Sequence, residues 1–294
     1  MSEIPTPKPS PLTPANSVGQ AGGRIARQFR KLAESGDLGL VAYITAGDPS
    51  LEASEKIVLA AAEAGADVIE LGVPFSDPVA DGPTIQRASE RALRSGTTLV
   101  GILELVRRLR ARTDVPLVLF SYYNPILQMG LEKFADTAAA VAADGVLATD
   151  LPPEEAAEYR GIMRARGIDT VFLAAPTSTD TRLAHIARFS TGFLYLISRA
   201  GVTGAREALP EDLPVLVRRA RQFTKLPIAV GFGISLPMHV TVLGGIADAA
   251  VVGSALVAEI DKAASAGTAA DAVAKRIRLL KHAALEGINR RSSV

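Results

Sequence analysis

The chain has 294 residues, 48% of them hydrophobic, and its 32 Lys and Arg residues nearly balance its 31 Asp and Glu residues. This length and composition exclude a disordered protein and allow one large domain with a sizeable core. The net charge of +1 argues against general binding to nucleic acid, and the absence of cysteine excludes disulfides, thiolate catalysis and cysteine-ligated metals.

The hydropathy pattern argues against a membrane protein. No apolar run reaches the roughly 18 residues that a membrane-spanning helix needs, so we expect a soluble, cytoplasmic protein with no membrane partner. Residues 1–20, MSEIPTPKPSPLTPANSVGQ, are rich in Pro and Ser and lack the apolar segment of a signal peptide. We therefore expect a disordered tail over residues 1–20 and a single domain over residues 21–294.

The first predicted element is a helix over residues 22–36, with Ile25, Phe29 and Leu32 on one face. Eight short β-branched runs then alternate with helical patterns. They cover residues 40–47, 67–73, 115–123, 145–151, 169–176, 191–198, 226–233 and 248–254. This α/β alternation is typical of a (β/α)₈ TIM barrel, and the extra amino-terminal helix is expected to close its bottom.

A doubly wound sheet is the alternative fold for such an alternating pattern. Its usual glycine fingerprint, G-x-G-x-x-G, follows the first strand and opens the first helix. The chain reads ITAGDPSLEAS at that point, without the fingerprint. The strand count and this missing motif together favour the barrel.

Active sites of such barrels lie at the carboxyl ends of the strands. No lysine stands at the carboxyl end of any of the eight predicted strands, and Lys225 lies at the opposite, amino end of its strand, which argues against a Schiff-base aldolase. The same positions lack the grouping of His and carboxylate residues that a metal site requires. We therefore expect neither a metal nor a Schiff base at this end of the barrel.

A carboxylate interrupts the second predicted strand, DVIELGV. Glu70 alternates with Val68 and Gly72, so these three residues share one face, while Ile69 and Leu71 share the other. If the Ile and Leu face packs on the helices, Glu70 points into the barrel mouth. Partial desolvation there would raise its pKa and make it a proton donor and acceptor. The alternative is a glutamate that is only hydrogen-bonded to neighbouring hydroxyls, such as those of Tyr122 or Tyr195.

The loop after this strand contains two further carboxylates among Pro and Gly residues, which are typical of an irregular segment that can close over a ligand. Asp81 is the better catalytic candidate because the sequence DGP places it just before the next predicted helix. An aspartate before glycine is also common as a plain turn residue.

Glycines mark the last two strand-to-helix junctions, in AVGFGIS (229–235) and VVGSAL (251–256). Backbone N–H groups at such junctions bind anions, and the loops after strands seven and eight are where these barrels hold phosphate. The glycine-rich segment SRAGVTGA (198–205) could supply another donor. The pattern indicates a phosphorylated substrate, with simple tight turns as the alternative.

Together with SYYNPI, DGVLATDLPPEE and APTSTD, these motifs give the chain a close resemblance to the tryptophan synthase alpha chain family over residues 22–290. ELGVPFSDPVADGPTIQ is the most specific of them. The resemblance implies retro-aldol cleavage of indole-3-glycerol phosphate to indole and glyceraldehyde 3-phosphate, without cofactor or metal.

The resemblance also assigns roles to individual residues. It implies that Glu70 is the acid–base residue and that Asp81 interacts with the indole nitrogen, while Asp150 takes part in loop closure and partner signalling. The implied substrate-binding residues are Tyr43, Thr45, Tyr122, Tyr195, Gly204, Gly233, Gly253 and Ser254. Many family members have Phe in place of Tyr43, so we expect a slightly more polar ring pocket.

The resemblance further implies a partner, a pyridoxal-phosphate-dependent beta chain, in an alpha2-beta2 complex. We expect it to dock at the barrel mouth, where Pro125, Ile126, Leu127 and Met129 offer apolar side chains. Two rivals remain. One is another enzyme on the same scaffold, such as a phosphoribosyl isomerase or an indole-glycerol-phosphate synthase, and the second is a non-catalytic phosphate-binding barrel.

Overall fold

The computed structural model describes residues 22–198 and 209–289, so the expected tail over residues 1–20 lies outside the described part of the chain. Its strands are β1 (Gly39–Thr45), β2 (Val68–Gly72), β3 (Leu117–Ser121), β4 (Gly145–Ala148), β5 (Asp169–Thr170), β6 (Leu173–Ala174), β7 (Leu194–Ile197), β8 (Ile228–Gly231) and β9 (Ala249–Val252). All neighbouring pairs are parallel, in the order β5-β4-β3-β2-β1-β9-β8-β7-β6.

Twelve α-helices accompany these strands within the described residues. They are α1 (Arg24–Ser35), α2 (Leu51–Glu63), α3 (Pro83–Arg94), α4 (Leu99–Arg110), α5 (Tyr123–Met129), α6 (Leu131–Ala140), α7 (Ala157–Ala165), α8 (Asp180–Phe189), α9 (Leu213–Arg221), α10 (Pro237–Leu243), α11 (Ser254–Lys262) and α12 (Ala266–Asn289). None of the described helices combines the length and apolar character needed to cross a bilayer.

The predicted fifth strand is the point where the sheet closes. Its first half, β5, pairs with β4, and its second half, β6, pairs with β7. Between them, the Val171 N–H donates to the Val146 carbonyl at 3.0 Å, and the Phe172 carbonyl accepts from the Tyr195 N–H at 3.3 Å. One chain segment thus bonds both ends of the sheet, and the expected TIM barrel is confirmed.

The two faces of the strands pack in different layers, as the alternation of residues predicts. Ile69 and Leu71 belong to the apolar layer between barrel and helices, whereas Val68 belongs to the cluster inside the barrel. The inward face of β2 is therefore the one that carries Glu70.

Helix α1 closes the bottom of the barrel, as its amphipathic pattern predicts. Ile25, Phe29 and Leu32 are buried in the cluster inside the barrel. The Phe29 ring lies 5.7 Å from that of Phe193, centroid to centroid. Because the lower opening is plugged by apolar side chains, the upper end is the one left for a ligand.

Three aspartates at the barrel bottom each tie one strand to the strand before it. Asp67, Asp144 and Asp248 directly precede β2, β4 and β9. Their carboxylates accept backbone N–H groups of the preceding strands, from Leu40 at 2.7 Å, Leu117 at 2.8 Å and Ile228 at 2.6 Å. Each also pairs with a cation, respectively Lys281 at 2.5 Å, Arg110 at 2.7 Å and Arg221 at 2.5 Å. These charged groups therefore hold the strand starts together at the end opposite the expected site.

Candidate active site

Glu70 lies inside the barrel on β2, in register with Tyr43 of β1 and Val118 of β3. Its side chain is fully buried, and neither carboxylate oxygen has a hydrogen-bond partner among the described residues. The alternative of a glutamate satisfied by neighbouring hydroxyls is therefore wrong. Burial raises the pKa of Glu70 to about 8, so the group is mostly protonated at neutral pH and can donate a proton.

Two buried tyrosines flank this carboxyl group, Tyr43 on β1 and Tyr195 on β7. Burial is the main cause that raises the pKa of each phenol, followed by the charge of Asp81 for Tyr43 and by the charge of Glu70 for Tyr195. Thr45 lies close enough to the Tyr43 hydroxyl to lower the pKa of that phenol. The phenols thus stay neutral and supply polar groups around an acid that would otherwise face only apolar walls.

Each tyrosine ring rests on a glycine of the neighbouring strand. A Cβ atom at Gly72 would lie 2.1 Å from the Tyr43 hydroxyl, and one at Gly231 would lie 2.3 Å from the Tyr195 hydroxyl. Both distances are far below van der Waals contact. Gly72 and Gly231 therefore make room for the rings.

Asp81 is held at the rim by Tyr122. The Tyr122 hydroxyl donates to Asp81 Oδ2 at 3.2 Å and accepts the Ala80 N–H at 2.9 Å. The Tyr122 ring also packs on Phe75, 5.0 Å away between centroids. Burial raises the pKa of Asp81 to about 6, against the lowering effect of the Tyr122 hydrogen bond, so Asp81 is mostly ionised at neutral pH. The family resemblance implies that Tyr122 lies near Glu70. In the structure, the hydrogen bond of the Tyr122 hydroxyl is to Asp81 instead.

A cleft of about 530 Å³, including its open mouth, occupies this end of the barrel. Its lining combines aromatic and apolar side chains with glycines and two serines. The lining residues are Tyr43, Asp81, Ile85, Phe120, Tyr195, Phe232, Gly233, Ile234, Ser235, Val251, Gly253 and Ser254. Six of the residues predicted from the sequence are thus brought together, while Glu70, Thr45, Tyr122 and Asp150 are not among the lining residues.

The glycine junctions form one side of the cleft. Gly233 follows β8 with a φ of +90°, and Gly253 precedes the first turn of α11. The N–H groups of Gly233 and Gly253 donate to no partner within the described ranges. They are therefore available to an anion. Gly204 lies outside the described residues.

The other six lining residues, Ile85, Phe120, Phe232, Ile234, Ser235 and Val251, were not predicted from the sequence. Phe232 and Ser235 lie inside the GFGIS motif, in which the glycines are the residues that indicate an anion site. Phe120 shares the inward face with Val118, so strand alternation could have identified it. Ile85 comes from α3, and its apolar spacing alone gave no sign of the cleft.

Asp150 lies just after β4 and contacts α5, the helix that follows the preceding strand β3. Its Oδ1 accepts the N–H of Tyr123 at 2.7 Å, at the start of α5. A carboxylate at that position complements the helix dipole. This contact connects Asp150 to the segment that carries Tyr122.

The chain is thus a TIM-barrel enzyme whose upper end holds a buried acid, a rim carboxylate and a glycine-lined cleft. A sequence model described as tryptophan synthase alpha chain matches residues 29–285. The chain belongs to this family.

Individual relatives agree. The tryptophan synthase alpha chain of Citrifermentans bemidjiense is 54% identical over 239 residues, which are 81% of this chain and 90% of the relative. That of Solibacter usitatus is 53% identical over the same shares.

Solved structures give the same result. Tryptophan synthase subunit alpha from Legionella pneumophila superposes with a TM-score of 0.81 at 36% identity, covering 90% of this chain and all of the other. A structure described for mutual activation of the tryptophan synthase a2b2 complex from Pyrococcus furiosus gives 0.77 at 43% identity, covering 83% and 97%.

Proposed function

We propose that this barrel cleaves indole-3-glycerol phosphate into indole and glyceraldehyde 3-phosphate, as a lyase of tryptophan biosynthesis. The observation that carries the proposal is the buried carboxyl group of Glu70, whose pKa of about 8 lets it both donate and accept a proton near neutral pH. Family membership supports the same reaction.

The chemistry needs two proton-handling groups. Neutral Glu70 protonates carbon C3 of the indole, which leaves positive charge on the ring. Ionised Asp81 stabilises that charge by accepting the ring N–H. The Glu70 carboxylate then takes the proton of the glycerol hydroxyl, the carbon–carbon bond breaks, and its electron pair returns to the ring. One proton leaves Glu70 and one comes back.

The cleft can hold the substrate in one orientation. The indole fits the aromatic side, where Tyr43 and Phe120 pack edge to face with centroids 5.2 Å apart. The phosphate fits the opposite side, at the N–H groups of Gly233, Gly253 and Ser254. Thr45, Tyr122 and Tyr195 support the polar groups between these two ends, and Gly204 is proposed as a further phosphate donor.

The test is indole release from indole-3-glycerol phosphate by purified protein. Glu70→Gln keeps the size of the side chain and removes proton exchange, so cleavage should be abolished while phosphate-ligand binding persists. Glu104→Gln, on the exposed face of α4, is the matched control and should retain full activity. Full activity of a folded Glu70→Gln protein would contradict the proposal.

We further propose that a pyridoxal-phosphate-dependent beta chain binds at the barrel mouth, in an alpha2-beta2 complex. Val79, in the loop that carries Asp81, is 82% exposed, and Leu127 of α5 is 50% exposed. The expected apolar surface is smaller than the sequence indicated, because Ile126 is fully buried in the core. Asp150 accepts the N–H of Tyr123 at the start of α5, the helix that carries Leu127, and is proposed to take part in loop closure.

Mixing the protein with its cognate beta chain tests this partnership. If docking favours the closed state of the loops, cleavage should accelerate and the complex mass should match two copies of each chain. Val79→Asp and Leu127→Asp should weaken the complex, whereas Val215→Asp, an exposed residue of α9, should not. No complex at micromolar concentrations would defeat the proposal.

A further inference from the structure

Ser235 lies in the segment between β8 and α10, and its backbone is held from both sides. The Ser235 N–H donates to Nδ1 of His239 at 3.2 Å, and the Leu236 N–H approaches the same atom at 3.4 Å. The guanidinium group of Arg276, on α12, donates to the Ser235 carbonyl at 2.5 Å. His239 is only 2% exposed, so solvent does not compete for these bonds.

This arrangement changes which donors the GFGIS segment can offer. The sequence predicts that backbone N–H groups at the start of the following helix bind an anion. Two of them, from Ser235 and Leu236, are already bonded to His239. A ligand at this position would therefore accept hydrogen bonds from the Gly233 N–H and from a neighbouring side chain.

The Ser235 hydroxyl is that side chain. Ser235 is 5% exposed and lines the cleft together with Gly233, Gly253 and Ser254. Its Oγ has no hydrogen-bond partner among the described residues. A buried hydroxyl left without a partner costs free energy, and a ligand acceptor in the cleft would remove that cost.

We propose that the Ser235 hydroxyl donates a hydrogen bond to the phosphate group of the substrate and that His239 and Arg276 are positioning residues for it. This inference rests on the proposed function, because it assigns a donor within the same cleft. Ser235 thus determines specificity for the phosphorylated half of the substrate, and the two positioning residues fix where its Oγ lies.

Calorimetric titration of the full chain with glycerol 3-phosphate and, separately, with indole tests the hydroxyl. Ser235→Ala should weaken glycerol 3-phosphate binding by about tenfold or more, since a hydrogen bond to a charged group is lost, and leave indole binding unchanged. Ser190→Ala is a matched control, because the Ser190 Oγ is also buried without a partner in the described part of the chain, yet Ser190 does not line the cleft. It should bind both probes as the unmodified protein does.

The positioning role needs a separate pair of variants. His239→Gln keeps an acceptor for the N–H groups at the start of α10, as in a capping box, whereas His239→Ala removes it. His239→Ala should raise KM for the phosphorylated substrate about tenfold with kcat within about twofold, and His239→Gln should restore KM to within about threefold. Should His239→Ala not fold, glycerol 3-phosphate binding still tests both roles. Binding to Ser235→Ala then decides the role of the Ser235 hydroxyl, and binding to His239→Gln decides the role of His239.

The outcomes separate the two proposals. Equal glycerol 3-phosphate affinity of Ser235→Ala and the unmodified protein overturns the role of Ser235 and leaves the proposed reaction intact. Failure of the unmodified protein to bind glycerol 3-phosphate overturns both. A parallel loss of kcat and binding in His239→Ala that Gln does not restore overturns the positioning role.

Discussion

At the scale of single residues, Glu70 and Asp81 are two carboxylates whose environments separate their protonation states. Burial acts on both, but only Asp81 has a hydroxyl, from Tyr122, that stabilises its ionised form. Their pKa values of about 8 and about 6 therefore leave one group protonated and the other ionised at neutral pH. These separate protonation states indicate that Glu70 donates the proton and that Asp81 stabilises the positive charge that develops.

The raised pKa of Glu70 predicts how stability depends on pH. The folded protein keeps this proton up to about pH 8, while the unfolded chain releases it near the ordinary value of 4.5, so the free energy of unfolding falls as the pH rises through that window. The slope from this group is at most about 1.4 kcal/mol per pH unit. In Glu70→Gln this contribution is absent, and the variant should become the more stable protein as the pH increases.

Urea denaturation at pH 5, 7 and 9 measures this effect. The difference between Glu70→Gln and the unmodified protein should grow with pH, and the Asp81 contribution cancels because both proteins contain it. Glu104→Gln is exposed and should give a constant difference. Parallel stability curves for Glu70→Gln would contradict burial as the cause of the raised pKa.

Tyr122→Phe isolates the hydroxyl that holds Asp81. The variant keeps the ring packed on Phe75 and loses the bond that lowers the pKa of Asp81. That pKa should rise above about 6, so the acid limb of the kcat/KM profile should move to higher pH, by up to about one unit. Tyr123→Phe is the control, because the Tyr123 hydroxyl bonds to no described residue. An unmoved acid limb would show that Tyr122 does not act on Asp81.

The sequence predicts some of these side-chain positions but not all of their contacts. Period-2 alternation in DVIELGV is enough to place Glu70 on the inward face, and the structure confirms it. The partner of the Tyr122 hydroxyl could not be predicted, because it depends on how the loop of Asp81 folds over a different strand. Gly72 and Gly231 are a second example. They make room for the rings of Tyr43 and Tyr195 only because the neighbouring strands pair in this register, which the sequence does not show.

At the scale of elements, the aspartates before β2, β4 and β9 hold successive strands in register at the bottom of the barrel. Each joins a strand start to the preceding strand and to a basic side chain. The sequence shows an aspartate before each of these strands, but such a residue also fits an ordinary turn. Only the parallel pairing brings the backbone N–H within reach of the carboxylate.

Asp144→Asn tests this arrangement. Asp144 is 9% exposed and binds Arg24, Arg110 and the Leu117 N–H, so the variant removes a buried charge from two cations. We expect a loss of about 3 kcal/mol in the free energy of unfolding, because breaking a buried pair leaves its partner uncompensated. Asp114→Asn also removes a partner of Arg24, but its side chain is 97% exposed, and it should cost under about 0.5 kcal/mol. Similar losses for both variants, measured by urea denaturation, would contradict the role of burial.

At the scale of the whole molecule, the alternation of strands and helices was sufficient to predict the barrel and the helix that closes it. It could not predict that the fifth strand is interrupted. The segment DTVFLAAP reads as one continuous strand, and no turn residue marks the point where its pairing changes from β4 to β7. That point is set by closure of the sheet, which is a property of all the strands together.

This interruption gives the barrel a seam with a defined position. In the order of the sheet, β1 is the middle strand and β5 and β6 are the two ends, so the seam lies across the barrel from β1. Glu70 and the loop of Asp81 lie on one side of that line, and the glycines after β8 and β9 lie on the other. The two strands at the seam, β5 and β6, are two residues long each, whereas β1 is seven residues long and pairs on both sides, so we expect local opening at the seam before opening at β1. Amide hydrogen exchange should accordingly be faster at residues 170–174 than at residues 40–45, and equal protection of the two segments would rule out this motion.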